Sequence, residues 1–245
     1  MGGAITQSAG ALFGETNAQS LNWAGYVVTG SPGSVTSVQT SFIVPSVSPS
    51  HGTTYVALWA GIDGYNSGTV EQAGILVEST HNSVIYRAWT EFYPAAPTYA
   101  SWTPEVKNVI TVTVSVSGSD VTATVNDVST GRTYTQSVSA SGYQLNSAEW
   151  IVERPSTSAG LTTLANFGTA YFGTAHTSSS INNYATVSGV SGAIGSFSTA
   201  VAVTMVSSTG GTLAYPTPLS TDYASFTVIY ASSSGGSGGG HHGKP

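Results

Sequence analysis

The chain has 245 residues, a formal net charge of −6, 40% hydrophobic residues and only 7% charged residues. Five Lys and Arg residues in total provide no basic surface for nucleic acid. No run approaches the roughly 18 apolar residues expected of a membrane-spanning helix, and the absence of cysteine excludes disulfides and thiolate chemistry. The five Trp and 13 Tyr residues indicate a sizeable core rather than a disordered chain.

Residues 1–20 are small and polar, and we expect them to be poorly ordered. From residue 21 to residue 231 the chain consists of short alternating runs, and none of them carries the period of a capped helix. The turn-forming residues 117–120 between two such runs are typical of a hairpin. The clearest predicted strands are 107–116, 121–125, 133–138, 200–206 and 224–230.

These many short strands predict an all-β fold, an antiparallel β-sandwich of two large sheets with jelly-roll or concanavalin-like architecture. The even composition of residues 21–231 indicates a single domain, and the Gly/Ser-rich residues 232–245 are predicted to form a flexible tail. His241 and His242 in that tail are interpreted as solvated side chains rather than metal ligands. The chain shows no basic and apolar leader, but its Ser/Thr-rich, charge-poor composition favours an exported protein whose signal and pro-segment have been removed.

Aromatic, acidic and amide residues are concentrated in a few segments. A strand over 86–93 would place Arg87, Trp89, Glu91 and Tyr93 on one face, because side chains alternate between the two faces of a strand. A face that mixes carboxylates with Trp and Tyr is typical of the floor of a binding groove, although a solvated sheet face remains the alternative. The segments are 22–26, 59–64, 71–74, 89–94 and 149–153.

The last of these segments, Glu149-Trp150-Ile151-Val152-Glu153, ends an apolar run with a glutamate. If it is a strand, Glu149, Ile151 and Glu153 share a face. A chain with 11 acidic residues has few carboxylates, so a glutamate in this position indicates a functional role. Glu153 is predicted to activate a water molecule for peptide hydrolysis, with Gln72 as its partner.

Five motifs resemble the glutamic peptidases, or eqolisins, in their order and approximate spacing from about residue 20 to residue 230. They are Asn-Trp-Ala-Gly-Tyr, Trp-Ala-Gly-Ile-Asp-Gly, Gln-Ala-Gly, Glu-Phe-Tyr-Pro and Ala-Glu-Trp-Ile-Val-Glu. The segment Leu-Ala-Asn-Phe-Gly at 164–168 is similar to a late strand of the same family. The resemblance implies an acid-acting endopeptidase, without metal or organic cofactor, whose active site lies on the concave face of a sandwich of two antiparallel sheets.

The resemblance also implies roles for individual residues. By motif position the catalytic glutamate is Glu153 and the catalytic glutamine is Gln72. The carboxylate can take a proton from water and later give it to the leaving amine, whereas the carboxamide can donate to the oxyanion. The candidate substrate-binding residues are Trp23, Trp59, Asp63, Trp89, Glu91, Tyr93 and Glu149.

Several of these residues have a second interpretation. Glu149 is either an alternative base or a structural neighbour of Glu153, and Glu91 is expected to raise the pKa of Glu153 or to bind substrate. Asp63 is either a groove residue or a turn residue that binds its own backbone. The tryptophans are either core residues or groove walls, and the wall role is favoured for Trp59 and Trp89.

Arg87 departs from the fungal members of the family, in which an acidic residue is familiar two positions before the tryptophan. A cation beside Glu91 would lower the pKa of that carboxyl group, so we expect an activity optimum in milder acid. The lack of cysteine means that packing alone must stabilise the fold.

Two other classes of function remain open on sequence grounds. A glycoside hydrolase or lectin could use Glu91 and Glu153 as a carboxylate pair beside tryptophan platforms, and a non-catalytic module could use the groove only to hold peptide. The chain has no His-Glu-X-X-His motif, no pair of Asp-Thr/Ser-Gly loops, and a Gly-X-Ser-X-Gly match only within 235–239 of the tail. We therefore expect a monomeric peptidase, insensitive to pepstatin, that acts on proteins or peptides.

Overall fold

The computed structural model describes residues 5–12 and 15–231, with side chains described from residue 17 onward. The predicted tail, residues 232–245, lies outside this part of the chain. The described residues form strands, turns and one short 3-10 turn at Ile194–Ser196. None of their helical segments is long and apolar enough to cross a membrane.

The strands, in chain order, are β1 (Ile5–Leu12), β2 (Glu15–Ser20), β3 (Trp23–Thr29), β4 (Val35–Ile43), β5 (Thr54–Ile62), β6 (Val70–Ser79), β7 (Val84–Tyr93), β8 (Thr98–Tyr99), β9 (Val109–Ser117), β10 (Asp120–Asp127), β11 (Arg132–Ser139), β12 (Ser147–Glu153), β13 (Ser156–Thr157), β14 (Gly160–Leu161), β15 (Thr163–Leu164), β16 (Thr169–Phe172), β17 (Tyr184–Val187), β18 (Val190–Ala193), β19 (Ala200–Val206), β20 (Thr212–Pro216) and β21 (Phe226–Tyr230).

Strand pairing arranges most of these elements in two layers. We call the first the groove layer, with the order β8-β7-β6-β5-β12-β3-β19-β2, and the second the back layer, with the order β11-β10-β9-β4-β17-β18. Strands β16, β21 and β20 connect β4 of the back layer to β19 of the groove layer. Nearly all pairs are antiparallel, which confirms the predicted β-sandwich; β2–β19 and β5–β15 are parallel.

The core lies between the two layers and is built from every second residue of each strand. Leu58 of β5 and Trp150 of β12 face it from the groove layer, and Ile110 and Val112 of β9 face it from the back layer, all fully buried. The Trp150 indole also donates to the Gln39 carbonyl of β4 across the interface, at 2.8 Å. The period-2 pattern that predicted strand β9 therefore describes its buried face.

The predicted strands all appear, with ends that differ by a few residues. The run 107–116 becomes β9, 121–125 becomes β10, 133–138 becomes β11 and 200–206 matches β19. The run 224–230 starts two residues later than predicted, as β21. Asp222 explains this delay, since its carboxylate accepts hydrogen bonds from the backbone N–H groups of Ala224 and Ser225 in the preceding turn.

The expectation of a poorly ordered segment up to residue 20 is wrong for residues 15–20. These residues form β2, which pairs in parallel with β19. Ala18 and Ser20 are each 1% exposed, and the Ser20 hydroxyl accepts hydrogen bonds from the backbone of Asn22 and Trp23. The free edge of β19 supplies backbone partners for a segment whose composition alone does not predict a strand.

Candidate active site

The face of the groove layer that points away from the core carries the predicted site. Arg87, Trp89, Glu91 and Tyr93 share this face of β7, as the alternation predicted. A second cluster of buried apolar side chains covers the adjoining part of the face. Its members are Ala18, Trp23, Val27, Ala57, Trp59, Tyr65, Val70, Trp89, Ile151, Val201 and Val203.

Gly74 of β6 makes this aromatic floor possible. It pairs with Trp59 of β5 on one side and with Trp89 of β7 on the other. A Cβ atom at Gly74 would come within 2.7 Å of the Trp59 Cβ atom, a distance that real side chains do not tolerate. The glycine therefore allows two tryptophans to occupy one row of the sheet.

Glu153, the last residue of β12, lies between Trp23 of β3 and Ala57 of β5 in the sheet. Its Oε1 atom accepts a hydrogen bond from Asn22 Nδ2 at 3.0 Å, and its Oε2 atom accepts one from Trp59 Nε1 at 2.9 Å. Burial raises the pKa of Glu153 to about 7, because desolvation disfavours the charged form more than these donors favour it. The carboxyl group is thus oriented through both oxygens and titrates near neutrality.

Gln72 lies on β6, directly opposite Glu91 on β7. Its Nε2 group donates to Glu91 Oε2 at 2.6 Å, while its Oε1 atom is buried and has no hydrogen-bond partner among the described residues. Burial raises the pKa of Glu91, and the hydrogen bond from Gln72 opposes that shift. Glu91 is therefore placed to hold the carboxamide; its charge is not among the causes of the raised Glu153 pKa, and it lines the cavity, where the predicted contact with substrate stays open to test.

A cavity of about 550 Å³ brings the predicted residues together. Its lining includes Glu153, Gln72, Glu91, Trp89 and Tyr93. This volume is in the range of sites that bind small molecules or short peptide segments. Five of the nine predicted site residues thus face one space.

Trp23 and Trp59, predicted to contact substrate, are not among the residues that line this cavity. They are 2% and 0% exposed, and their rings pack edge to face with centroids 5.0 Å apart. The wall role expected of Trp59 is wrong, because its ring lies in the floor below Glu153. Its contribution to the site is the hydrogen bond from its indole N–H to Glu153.

Asp63, also predicted to bind substrate, is fully buried away from the cavity. Its carboxylate accepts hydrogen bonds from the backbone N–H groups of Gln144, Leu145 and Asn146 at 2.8–2.9 Å. The alternative, a turn residue that binds its own backbone, also differs from this arrangement. Asp63 instead anchors a distant loop that leads into β12, the strand that carries Glu153.

Glu149, proposed as substrate contact or alternative base, shares a strand with Glu153 but is 0% exposed. Burial raises its pKa well above the usual value, and the nearby charges of Asp63 and Glu71 add to the shift. A carboxyl group without access to the cavity is not placed to touch substrate, which favours the interpretation of Glu149 as a structural neighbour of Glu153.

Glu71 is a buried acidic residue that the sequence analysis missed. It is 0% exposed, and burial together with the charge of Asp63 raises its pKa to about 9. The strand pattern could have predicted the burial of Glu71, since it precedes groove-facing Gln72 and must therefore point to the opposite face of β6. We call Asp63, Glu71 and Glu149 the sealed acidic group.

Arg87 does not lie beside Glu91 as expected. Its Nη1 atom is 3.0 Å from Glu78 Oε2, and the charge of Arg87 is not among the causes of the shifted Glu91 pKa. Two residues four positions apart on one strand are about 13 Å apart, too far for the predicted effect. The original reason for a milder acid optimum is therefore wrong.

Comparison with known proteins identifies the family. The chain matches the peptidase A4 family over residues 21–217. The chain belongs to this family of glutamic peptidases. It is 32% identical over 194 residues to Aspergillopepsin-2 of Aspergillus niger, an alignment that covers 69% of this chain and 68% of that protein.

Solved structures of glutamic peptidases share the fold. Scytalido-glutamic peptidase superposes with a TM-score of 0.70 at 22% identity, over 86% of this chain and 98% of the other. Aspergilloglutamic peptidase from Aspergillus niger superposes with a TM-score of 0.59 at 27% identity, over 73% and 99%. Membership of a peptidase family favours peptide hydrolysis over the sugar-hydrolysing and lectin alternatives. Within the described residues, no group of three or more His, Cys, Asp and Glu side chains is placed to hold a metal ion.

Proposed function

We propose that this glutamic peptidase is an endopeptidase that cleaves proteins and peptides in mild acid through Glu153 and Gln72. The observation that carries the proposal is their shared cavity, in which a carboxyl group with a raised pKa and a fixed carboxamide face the same space. Scytalido-glutamic peptidase has been solved with a peptide-based transition-state analogue, and another eqolisin, SCP-B, with the tripeptide Ala-Ile-His. These complexes support a peptide as the occupant of the corresponding cavity here.

In the first step ionised Glu153 takes a proton from a water molecule while the water oxygen attacks the scissile carbonyl carbon. The carbonyl π bond becomes an oxyanion, and the second N–H of Gln72 donates to it. In the second step Glu153 returns the proton to the amide nitrogen, the C–N bond breaks, and a carboxylic acid and an amine leave. Asn22 and Trp59 hold Glu153 in place through both oxygens during this sequence.

Glu91 acts on the reaction through Gln72. A carboxamide without a fixed partner can rotate and present its oxygen to the oxyanion, which would be repulsive. The 2.6 Å hydrogen bond to Glu91 removes this freedom, because one N–H of Gln72 is committed to the neighbouring carboxyl group. The remaining N–H is thereby directed into the cavity.

The pH dependence follows from the raised pKa of Glu153. The ionised form needed for the first step increases as the pH rises toward about 7. We therefore expect the activity to rise through the mildly acid range, with burial of Glu153 rather than Arg87 as the cause. An optimum below about pH 3 would contradict this assignment of the base.

The test is cleavage of denatured casein from pH 2 to pH 7, with and without pepstatin and EDTA, by the wild type and by Glu153→Gln. Glu149→Gln is the matched control, since Glu149 lies on the same strand but outside the cavity. We expect acid cleavage that survives both inhibitors, is lost in Glu153→Gln and persists in Glu149→Gln. Cleavage that persists in Glu153→Gln, or that EDTA or pepstatin abolishes, would overturn the mechanism.

We further propose that the protein acts outside the cell as a monomer. The support is the low charge and the Ser/Thr-rich composition, which leave few carboxyl groups to be protonated in an acid medium. Size-exclusion chromatography with light scattering, and assay of the culture supernatant of the native host, test these two points separately.

A further inference from the structure

One end of the cavity carries charged and aromatic side chains that the proposed mechanism does not use. Arg87 of β7, Glu78 of β6, Tyr55 of β5 and Tyr99 of β8 line this end of the same cavity as Glu153 and Gln72. We call these four residues the polar end. Its side chains remain accessible, with 37% of the Arg87 side chain and 24% of the Glu78 side chain exposed.

The polar end is organised around the Glu78 carboxylate. Arg87 Nη1 donates to Glu78 Oε2 at 3.0 Å, and the Tyr55 hydroxyl donates to Glu78 Oε1 at 3.4 Å. The Arg87 guanidinium also lies over the Tyr99 ring, with Cζ 5.9 Å from the ring centroid. Arg87 is therefore held in place from two sides by groups that leave its other donors free.

The hydrogen-bonding capacity of the polar end indicates which kind of chemical group it can bind. Glu78 accepts a hydrogen bond at each of its two oxygens. Arg87 has five N–H donors, and the bond to Glu78 is the one hydrogen bond that it makes within the described residues. Glu78 keeps acceptor sites, since each carboxylate oxygen can accept two hydrogen bonds, but most of the Arg87 donors are also unused. The larger unused capacity is donor capacity on a permanent cation, which favours a carboxylate over an ammonium group.

The position of Arg87 in the sheet sets its distance from the reaction. Glu153, Ala57, Leu76 and Arg87 form one cross-strand row of β12, β5, β6 and β7. Three strand-to-strand steps of about 4.8 Å place the two ends of this row about 14 Å apart. An extended peptide covers that distance in about four residues.

We propose that Arg87 forms a specificity subsite that binds an Asp or Glu side chain of the substrate about four residues from the scissile bond. The inference rests on the proposed peptidase function of Glu153 and Gln72. Arg87 is the cationic residue among those that line the cavity, and no cation lies beside Glu153 and Glu91 in that lining, so the preference is confined to the position that reaches Arg87. Arg87 binds substrate and takes no part in the chemical step.

The test uses a series of fluorogenic decapeptides at pH 5, in which a single Asp occupies each position in turn and Asn is its matched control. At this pH an Asp side chain is ionised, since its ordinary pKa is about 3.9. We expect about a tenfold higher kcat/KM for Asp than for Asn at one position, three to five residues from the bond, and mainly through KM. Arg87→Gln should abolish this ratio, mainly by lowering kcat/KM of the Asp peptide.

Thermal unfolding is the folding control, because Arg87→Gln should retain a cooperative transition like that of the wild type. Charge reversal sharpens the test: Arg87→Glu should prefer Lys over Asn at the same position. The proposal is overturned by an equal kcat/KM for Asp and Asn at every position, by a preference that survives Arg87→Gln, or by a preference of the wild type for Lys.

A binding measurement separates failure of the subsite from failure of the proposed function. The Kd values of the Asp and Asn peptides are measured on Glu153→Gln by fluorescence anisotropy, which requires no cleavage. An Asp preference in Kd that Arg87→Gln removes supports the subsite even if no peptide is hydrolysed by the wild type. Equal Kd values for both peptides count against the subsite even if both are cleaved.

Discussion

The groove layer and the loop after β5 carry two sets of carboxyl groups, which differ in their access to the cavity. The open group, Glu153 and Glu91, faces the cavity and accepts hydrogen bonds from Asn22, Trp59 and Gln72. The sealed acidic group is 0% exposed, and only its Asp63 member is anchored by three backbone N–H donors. Burial raises the pKa of one member of each group most clearly, that of Glu153 to about 7 and that of Glu71 to about 9.

The comparison shows that a raised pKa alone does not identify a catalytic acid or base. The larger shift belongs to Glu71, which no substrate can reach. A functional carboxyl group needs a raised pKa together with a cavity and a fixed orientation. Among the described acidic residues, Glu153 combines a raised pKa with hydrogen bonds to both of its oxygens.

Replacing one carboxyl group of each set by an amide tests whether the open and the sealed groups have different functions. Glu153→Gln should lower kcat by at least about 10³-fold, because it removes the base, whereas Glu149→Gln should stay within about threefold of wild type. Steady-state kinetics on one peptide at pH 5 measures both. A large loss of kcat in Glu149→Gln, with an unchanged Tm, would place the sealed group in the catalytic machinery.

The partner of Glu153 gives the next largest effect. Gln72→Ala removes the oxyanion donor and should cost about 2.7–4 kcal/mol of transition-state stabilisation, a loss of about 10²–10³-fold in kcat. Gln136→Ala on the exposed face of β11 is the matched control, with no effect expected. Activity of Gln72→Ala within a few-fold of wild type would reject the oxyanion role.

The sealed group should control stability rather than rate. The pKa of Glu71 is about 9 in the folded chain against 4.5 for the free side chain, so the folded state binds more protons between these values. The part of the folding stability that depends on protonated Glu71 is fully present below pH 4.5. It is lost as the pH rises toward 9, at ~1.4 kcal/mol per pH unit. By pH 7 the free energy of unfolding has fallen by about 3 kcal/mol through Glu71. The raised pKa of Glu149 lowers the stability in the same direction as the pH rises.

Thermal unfolding at pH 4.5 and pH 7 tests this prediction on the wild type and on Glu71→Gln. The fall in Tm between the two pH values should be smaller in Glu71→Gln by roughly 6–12 °C, since the amide cannot ionise. Glu105→Gln, on the exposed loop before β9, is the control and should retain the wild-type difference. An identical fall in Tm in the wild type and Glu71→Gln would mean that Glu71 is ionised in the folded chain.

The smallest predicted effect concerns the orientation of Glu153. Trp59→Phe removes one donor to the ionised carboxylate, so the pKa of Glu153 should rise further and the ascending limb of the kcat/KM profile should move up by about 0.5–1 pH unit. Trp102→Phe is the control, because the Trp102 indole N–H has no hydrogen-bond partner among the described residues. An ascending limb of the kcat/KM profile at the same pH as in the wild type would show that Trp59 contributes packing alone.

Much of the site was predictable because strand alternation is a local property. The common face of Arg87, Trp89, Glu91 and Tyr93 follows from four positions two residues apart, and the pairing of Gln72 with Glu91 agrees with it. The order of the motifs was sufficient to select Glu153 and Gln72 as the residues that share a cavity. The same rule applied to Glu71 would have predicted its burial.

Other features depend on contacts between residues far apart in the chain. The sequence does not show that Asp63 binds the backbone of 144–146, more than 80 positions away, or that Trp59 lies below Glu153, 94 positions away. Arg87 pairs with Glu78 rather than acting on Glu91. The partner depends on the register of β6 and β7 and on how far the two long side chains reach.

The sequence by itself therefore determined the all-β class and the inward and outward faces of the strands, and it selected Glu153 and Gln72 as two residues that line one cavity. These properties follow from a two-residue period and from motifs that are contiguous in the chain. The tertiary structure alone decided which carboxyl groups open to the cavity and which are sealed, and that Arg87 pairs with Glu78 in the lining of that cavity. Those outcomes are set by desolvation and by hydrogen bonds between distant segments, which exist only when the layers are assembled.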